Sequence, residues 1–339
     1  MKIAHISSAW IRTPPEKYGG VEVVASGLTE QLVALGHDVT LFATGDSVTQ
    51  ASLWSWYDRP TGSDGSFSPG SEFIQMIEAV KYISRSNFDI VHNHLFSFGC
   101  ALVGLLPVPT VTTFHRKINT IADLIEYYNK SSVPFVSVSK YQQTLMPQLK
   151  WVGNVYNAIK VADFPFEEKK DDYLLFLGSI QEGKGTHLAI AAAKALGHRL
   201  IIAGPKHFPR YYAQIAPEID GQMIEYVGEV NFAQKVELYK KARALLMPIN
   251  MEESFGMVLI EALACGTPVI AFDRCAASEI VADKEVGFLV KDVDEMVGAI
   301  KKIEQISPND CRKHVERYFD VSVMAQRYIE IYQQMIQSF

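Results

Sequence analysis

The chain has 339 residues, of which 48% are hydrophobic, with 32 Lys and Arg against 38 Asp and Glu for a net charge of −6. That length exceeds one ordinary core and predicts two domains of roughly 150 to 170 residues, and the acidic balance, without any Lys/Arg block, argues against nucleic acid as the main partner. Cys100, Cys265, Cys275 and Cys311 lack metal-ligand spacing and read as reduced core residues of a cytoplasmic protein.

Met1-Lys-Ile-Ala-His-Ile6 is too short an apolar run for a signal peptide, and no run reaches the roughly 18 residues of a membrane span. Contact with a membrane surface stays open. Lys2 to Ile6 reads as a first strand, Gly20 to Leu35 as an amphipathic helix stopped by Gly36, and Asp38 to Ala43 as the next strand, a right-handed βαβ opening. The segment from Gly45 to Gly70 is loop-like in composition but carries Trp54, Trp56 and Tyr57. Three such aromatics argue for an ordered loop, either a lid over substrate or a surface loop pinned by its own rings. A helix over Ser71 to Ser86 and strands at Asp89 to His92, Thr110 to Phe114 and Phe135 to Val138 follow. Strands alternating with helices imply a parallel sheet covered on both faces.

The charged run Glu167 to Asp172 is the expected linker, giving domains at 1–165 and 166–318. The pattern then restarts with strands at Tyr173 to Gly178, Arg199 to Ala203, Glu225 to Val227, Ala244 to Met247, Pro268 to Ala271 and Gly287 to Val290. Helices are expected at Thr186 to Leu196, Gln234 to Ala242 and Glu253 to Cys265. The last segment, 319–339, holds a long amphipathic helix from about Ser322 to Ser338 that offers a face for packing back on the first domain.

Four places could carry chemistry. Tyr18-Gly19-Gly20 lies between the first strand and first helix, at the carboxyl edge of a parallel sheet, where adjacent glycines let amides approach a phosphate or sugar. Gly178 to Gly185 repeats that arrangement, with Lys184 near a helix start, where it could neutralise a diphosphate or simply be solvated. His115 leaves a strand end, as do His92 and His94, which favours a site over isolated structural histidines. His-x-His spacing also suits zinc, but no third ligand is near in sequence, and no metal is expected.

The fourth is Glu253-Ser-Phe-Gly-Met-Val-Leu-Ile-Glu261, read as a helix capped by Ser254. First-turn amides near Gly256, Met257 and Val258 would form an anion site. Glu253 and Glu261, about 12 Å apart along such a helix at roughly 1.5 Å per residue, would hold hydroxyls, or else be a solvated charge and a paired structural one.

Taken in order, Tyr18-Gly-Gly20, Gly36-His-Asp-Val39, Asp89-Ile-Val-His-Asn-His94, Thr113-Phe-His115, Leu177-Gly-Ser-Ile180 with Lys184-Gly185, Glu253 to Glu261, Gly266-Thr-Pro-Val-Ile270 and Gly287-Phe-Leu-Val290 resemble the retaining family-4 glycosyltransferases of GT-B fold. The match runs through nearly the whole chain. The resemblance implies an α/β protein, two Rossmann-like doubly wound domains facing across a deep cleft, with the sugar nucleotide held mainly by the second domain and the acceptor by the first. By that resemblance Gly19 and Gly20 would offer amides near the donor, His115 would touch its sugar, and Lys184 would hold the diphosphate. Glu253 would bind sugar hydroxyls, Gly256, Met257 and Val258 would present amides, and Glu261 would bind the ribose.

Two positions depart from the family pattern. Ser179 stands where the family has an arginine on the diphosphate, so neutralisation would rest on Lys184, the helix dipole and Arg274 or another cation. Cys275-Ala-Ala-Ser278 replaces the usual glycine pair ahead of Glu279.

The implied reaction moves a hexose from a nucleotide-diphosphate sugar, UDP-glucose-like by preference, to an acceptor hydroxyl, with retention, no cofactor and no divalent metal. The acceptor could be a small molecule, a glycan or a lipid-linked sugar. The alternatives are a sugar-nucleotide epimerase or a phosphorylase on the same fold, or a non-catalytic sugar-nucleotide-binding protein.

Overall fold

A computed structural model describes residues 1–16, 19–62, 69–95, 98–115, 126, 128, 130 and 133–339, the side chains of Pro69 and Phe98 excepted. The chain forms two compact units, Met1–Ile159 with Val321–Phe339, and Lys160–Asp320. The first unit thus ends at Ile159 rather than at residue 165, because Val161–Asp163 forms a 3-10 turn whose Val161 amide donates to Asp320 of the second unit.

Among the described residues the first unit holds seven strands: β1 (Lys2–Ile6), β2 (Asp38–Phe42), β3 (Ser52–Trp54), β4 (Ile90–Asn93), β5 (Thr110–Phe114), β6 (Phe135–Ser137) and β7 (Trp151–Asn154). They form one parallel sheet in the order β3-β2-β1-β4-β5-β6-β7. Every residue of β4 and β5 is buried, as expected of strands covered on both faces. The first helix, Gly20–Ala34, stops where Gly36 turns to φ 83°, and the Gly36 and His37 amides satisfy the carbonyls of Val33 and Leu32.

Strand β3 was hidden in the aromatic loop. Its Trp54 packs on Phe42 with ring centroids 5.1 Å apart and so edges the core, while Trp56 is exposed. The tip of that loop, residues 63–68, lies outside the described residues, as do Tyr18, Arg116 and most of the segment 117–130.

The terminal helix, Val321–Ser338, belongs to the first unit and packs on Gly20–Ala34, β4 and β5. Small residues admit it: a Cβ on Gly153 of β7 would come within 2.7 Å of Ile331. Polar groups then lock it, since Tyr332 and Tyr328 reach His92 and Thr113.

The second unit has six strands: β8 (Tyr173–Leu177), β9 (Arg199–Ala203), β10 (Ile224–Gly228), β11 (Ala244–Met247), β12 (Val269–Phe272) and β13 (Gly287–Val290). They too are all parallel, in the order β10-β9-β8-β11-β12-β13. Helices Thr186–Leu196, Pro209–Ile215, Phe232–Lys241, Met257–Ala264, Val293–Ile300 and Pro308–Tyr318 accompany the sheet. The helix Phe232–Lys241 begins two residues before its expected start, because Asn231 and Gln234 close a capping box ahead of it. Among the described residues no helix is long and apolar enough to cross a membrane.

Candidate functional site

In both sheets the strand order reverses direction once, between β1 and β4 and between β8 and β11. In open α/β sheets ligands bind at the carboxyl ends of the strands flanking such a reversal. Most of the residues singled out from sequence lie on or after those strands, whereas His115 follows β5, the neighbour of β4, and Arg274 follows β12, the neighbour of β11.

In the first unit the reversal is crowded with imidazoles. Register pairs His5 of β1 with His92 of β4, so both project to one face, and His94 lies on the same face two residues on. Ring centroids are 4.9 Å apart for His5 and His92, 4.2 Å for His92 and His94, and 5.1 Å for His94 and His115, whose planes stack within 21°. His5 Nδ1 meets Thr29 Oγ1 at 2.5 Å, His5 Nε2 meets His94 Nε2, and His94 Nδ1 meets His115 Nε2 at 2.8 Å. His92 is held separately, by Tyr332 at Nδ1 and Thr113 at Nε2, each at 2.6 Å.

Burial pushes the pKa of His5 and of His115 down to about 3, and lowers those of His92 and His94 well below the usual value, with neighbouring rings adding to the effect for all but His115. The four rings are therefore neutral near pH 7. Ligand atoms of His5, His92 and His94 lie within 4.8 Å of one another, near enough for a cation. His5 is the third histidine that the His-x-His motif lacked in sequence; only β1–β4 pairing brings it there, and a lone histidine in an apolar strand gave no signal of it.

Gly19 and Gly20 sit at the start of the helix Gly20–Ala34. Gly19 has φ 154° and is packed so that a Cβ would meet Pro15 at 2.9 Å, whereas Gly20 is exposed with open space above its Cα. Backbone can therefore be approached closely at Gly20.

In the second unit the reversal is charged. After β8 the chain runs through Ser179 into a 3-10 turn, Glu182–Lys184, and Gly185 at φ 76° starts the helix Thr186–Leu196. Only glycine fits there, since a Cβ would lie 2.0 Å from the Pro248 carbonyl oxygen. That close approach brings Lys184 to the end of β11, where its Nζ forms an ion pair with Glu253. Arg274, following β12, donates to Asn250, whose amide in turn donates to the Gly183 carbonyl at 2.8 Å. The alternative cation named from sequence is thus tied to the lysine loop. Ser179 Oγ is buried with no hydrogen-bond partner among the described residues.

The carboxylate motif differs from its expected form. The helix runs Met257–Ala264, and its N-cap is Gly256 at φ 103° with no side-chain cap, not Ser254. Residues 253–256 are therefore not helical, and the 12 Å axial spacing does not apply. The Met257 and Val258 amides have no partner among the described residues, while Leu259 N bonds Gly256 O at 3.0 Å. Such free first-turn amides favour an anion. Glu261 is buried; Lys235 Nζ reaches one carboxylate oxygen at 2.6 Å and the Tyr239 hydroxyl donates to the other at 2.9 Å. Burial, then Glu261 itself, raises the Tyr239 pKa well above the ordinary value, so that proton stays in place. Each carboxylate oxygen keeps a further lone pair for a hydroxyl.

Comparison with known proteins covers the same two halves. Residues 18–156 match the profile of Glycosyltransferase Family 4, and residues 160–318 that of Glycosyl transferases group 1. A phosphatidyl-myo-inositol mannosyltransferase of Mycolicibacterium smegmatis is 26% identical over 93% of this chain and 90% of that protein. The O-antigen chain mannosyltransferase RfbU of Salmonella typhimurium is 29% identical over 49% of each chain. Among solved structures, AviGT4, a glycosyltransferase involved in avilamycin A biosynthesis, superposes with a TM-score of 0.76 at 23% identity, covering 100% of this chain and 99% of that one. The Anabaena protein HepE, solved in complex with UDP, superposes with a TM-score of 0.76 at 15% identity over 98% of this chain and 100% of that one.

Proposed function

Because this chain belongs to the family-4 glycosyltransferases of GT-B fold and is a transferase of nucleotide-linked sugars, we propose that it moves a hexose from a UDP-sugar, UDP-glucose foremost, to a hydroxyl of a glycan or lipid-linked acceptor. Transfer retains the anomeric configuration and needs no divalent metal. The observation that carries this reading is the Lys184–Glu253 ion pair beside the uncapped start of the helix Met257–Ala264, at a strand-order reversal. An arriving sugar diphosphate gives each partner a new task. The lysine pairs with phosphate, and the freed carboxylate accepts sugar hydroxyls.

In the step itself the acceptor oxygen bonds to the anomeric carbon as the bond from that carbon to the phosphate oxygen breaks. Attack occurs on the face the diphosphate leaves, and the acceptor proton passes to the departing phosphate oxygen. Lys184, Arg274 and the Met257 and Val258 amides stabilise the negative charge that develops there. By family resemblance His115 touches the hexose and Glu261 the ribose, while Gly19, Gly20 and Ser179 offer close backbone and a small hydroxyl to the donor.

A second donor reading, nucleotide-linked mannose, is favoured by relatives whose names describe mannosyl transfer. Thermal shift against UDP-, GDP- and ADP-sugars separates the two, because the true donor raises the melting temperature by linkage. No shift with any of them, together with no release of nucleotide in the presence of mixed glycan and lipid acceptors, would sink the proposal.

A further inference from the structure

The proposed transfer uses only one of the four clustered histidines, yet the hydrogen bonds that join His115 to two of the others have a direction. The Thr29 hydroxyl donates its single proton to the Ala25 carbonyl at 2.8 Å, so toward His5 Nδ1, 2.5 Å away, it can only accept. His5 Nδ1 therefore carries a proton. Burial keeps the ring neutral, which leaves its Nε2 bare, and the contact with His94 Nε2 must be a hydrogen bond donated by His94. The count then passes to the next ring. Neutral His94 has a bare Nδ1, which accepts from His115 Nε2–H at 2.8 Å. His115 Nδ1 is left bare, on a half-buried side chain, with no partner among the described residues.

We propose that Thr29, His5 and His94 are positioning residues that hold His115 as its Nε2–H tautomer, so that His115 Nδ1 accepts a hydrogen bond from a hydroxyl of the transferred sugar. The ligand in this statement rests on the glycosyl-transfer reading, whereas the tautomer rests on the hydrogen-bond count alone. A ring so fixed is an acceptor by construction. It selects a hydroxyl over a phosphate oxygen, which has no proton to give, and this keeps the histidine from competing for the diphosphate.

The arrangement also decides between a proton and a cation at the His5–His94 contact. A metal ion held by both Nε2 atoms needs both bare, which forces the His94 proton to Nδ1, requires a bare His115 Nε2, and moves the His115 proton to Nδ1. His92 adds nothing to such a site without breaking its bonds to Tyr332 and Thr113. The two arrangements give His115 opposite tautomers.

Long-range 1H–15N spectra of the full chain labelled on histidine nitrogens, assigned with His5→Gln and His115→Gln variants, read the tautomers without any turnover. The expected pattern is a proton on His115 Nε2, His94 Nε2 and His5 Nδ1, with a coupling across the His115–His94 hydrogen bond. Thr29→Val removes the terminal acceptor and should move the His115 proton to Nδ1. It should also lower kcat/KM about 5- to 10-fold, the worth of one neutral hydrogen bond, with UDP binding unchanged. A proton on His115 Nδ1 in the unaltered protein, or zinc at one equivalent in the same sample, overturns the relay. If the Thr29 variant does not fold, the wild-type spectrum still decides. Absence of transfer with every donor sinks the glycosyl-transfer reading and leaves the spectrum standing, whereas a reversed spectrum in an active enzyme sinks the relay alone.

Discussion

The two strand-order reversals of this molecule are built alike and dressed in opposite chemistry. Between β1 and β4 lie buried, neutral imidazoles joined ring to ring; at the ends of β8 and β11 lie a lysine, a glutamate and uncapped amides in partial contact with water. A neutral site can orient hydroxyls but cannot compensate an anion, and a charged site of positive amides and lysine can do both. On the proposed reaction this contrast would divide the labour of sugar transfer, with leaving-group charge assigned to the residues of the second unit and a share of sugar orientation to His115.

The largest test of that division is Lys184→Ala. Removal of a charged group that acts on developing negative charge should cost about 100- to 1000-fold in kcat, measured as nucleotide release with saturating donor. An undiminished rate would break the contrast, because the charged reversal would then have no catalytic task. Glu253→Gln comes next, with a loss of about 10- to 100-fold from one charge-assisted hydrogen bond to the sugar. Its effect should fall on kcat/KM for the intact donor and not on the affinity for UDP alone, which lacks the hexose.

Acid should sharpen the contrast from the other side. The folded-state pKa values of His5, His92 and His94 lie below the value of about 6.5 that they regain on unfolding. As pH falls through that value the unfolded chain takes up protons first, so the stability present above it is lost by up to about 1.4 kcal/mol per pH unit for each ring that stays neutral. Hydrogen exchange at pH 7.5 and 5.5 should show protection falling in β1, β4 and β5 before β8 and β11. Equal loss in both sheets would remove the histidines as the cause. The smallest effect is expected for Tyr332→Phe, which deprives His92 Nδ1 of its partner at a cost of about 1 kcal/mol. Its readout is faster exchange in the helix Val321–Ser338 with nucleotide binding unaltered.

Much of this was legible in the residues. Apolar runs located eleven of the thirteen strands among the described residues at least approximately, and the glycine stop at Gly36 marked a helix end because only a left-handed residue closes it cheaply. The short strands β3 and β7 were missed, the first because its Trp54 read as a loop aromatic and the second because Trp151-Val-Gly-Asn154 carries little apolar alternation. At the carboxylate motif the composition suggested a serine cap. The chain starts its helix at Gly256 instead, since φ 103° is open to glycine and this leaves the first amides free for a ligand.

What the sequence determined by itself was local: parallel α/β character twice over, a glycine-lysine turn after β8, a glutamate before a buried helix, and histidines leaving two strand ends. Each depends on neighbours a few residues away, where propensity and periodicity act. The pairing of Lys184 with Glu253, the enclosure of Glu261 by Lys235 and Tyr239, and the arrival of His5 beside His92 and His94 were decided by tertiary structure. Register between strands distant in the chain is fixed only when two hydrophobic faces are buried together. It is that burial which also strips the histidines of water and leaves hydrogen bonds between rings as their means of being satisfied.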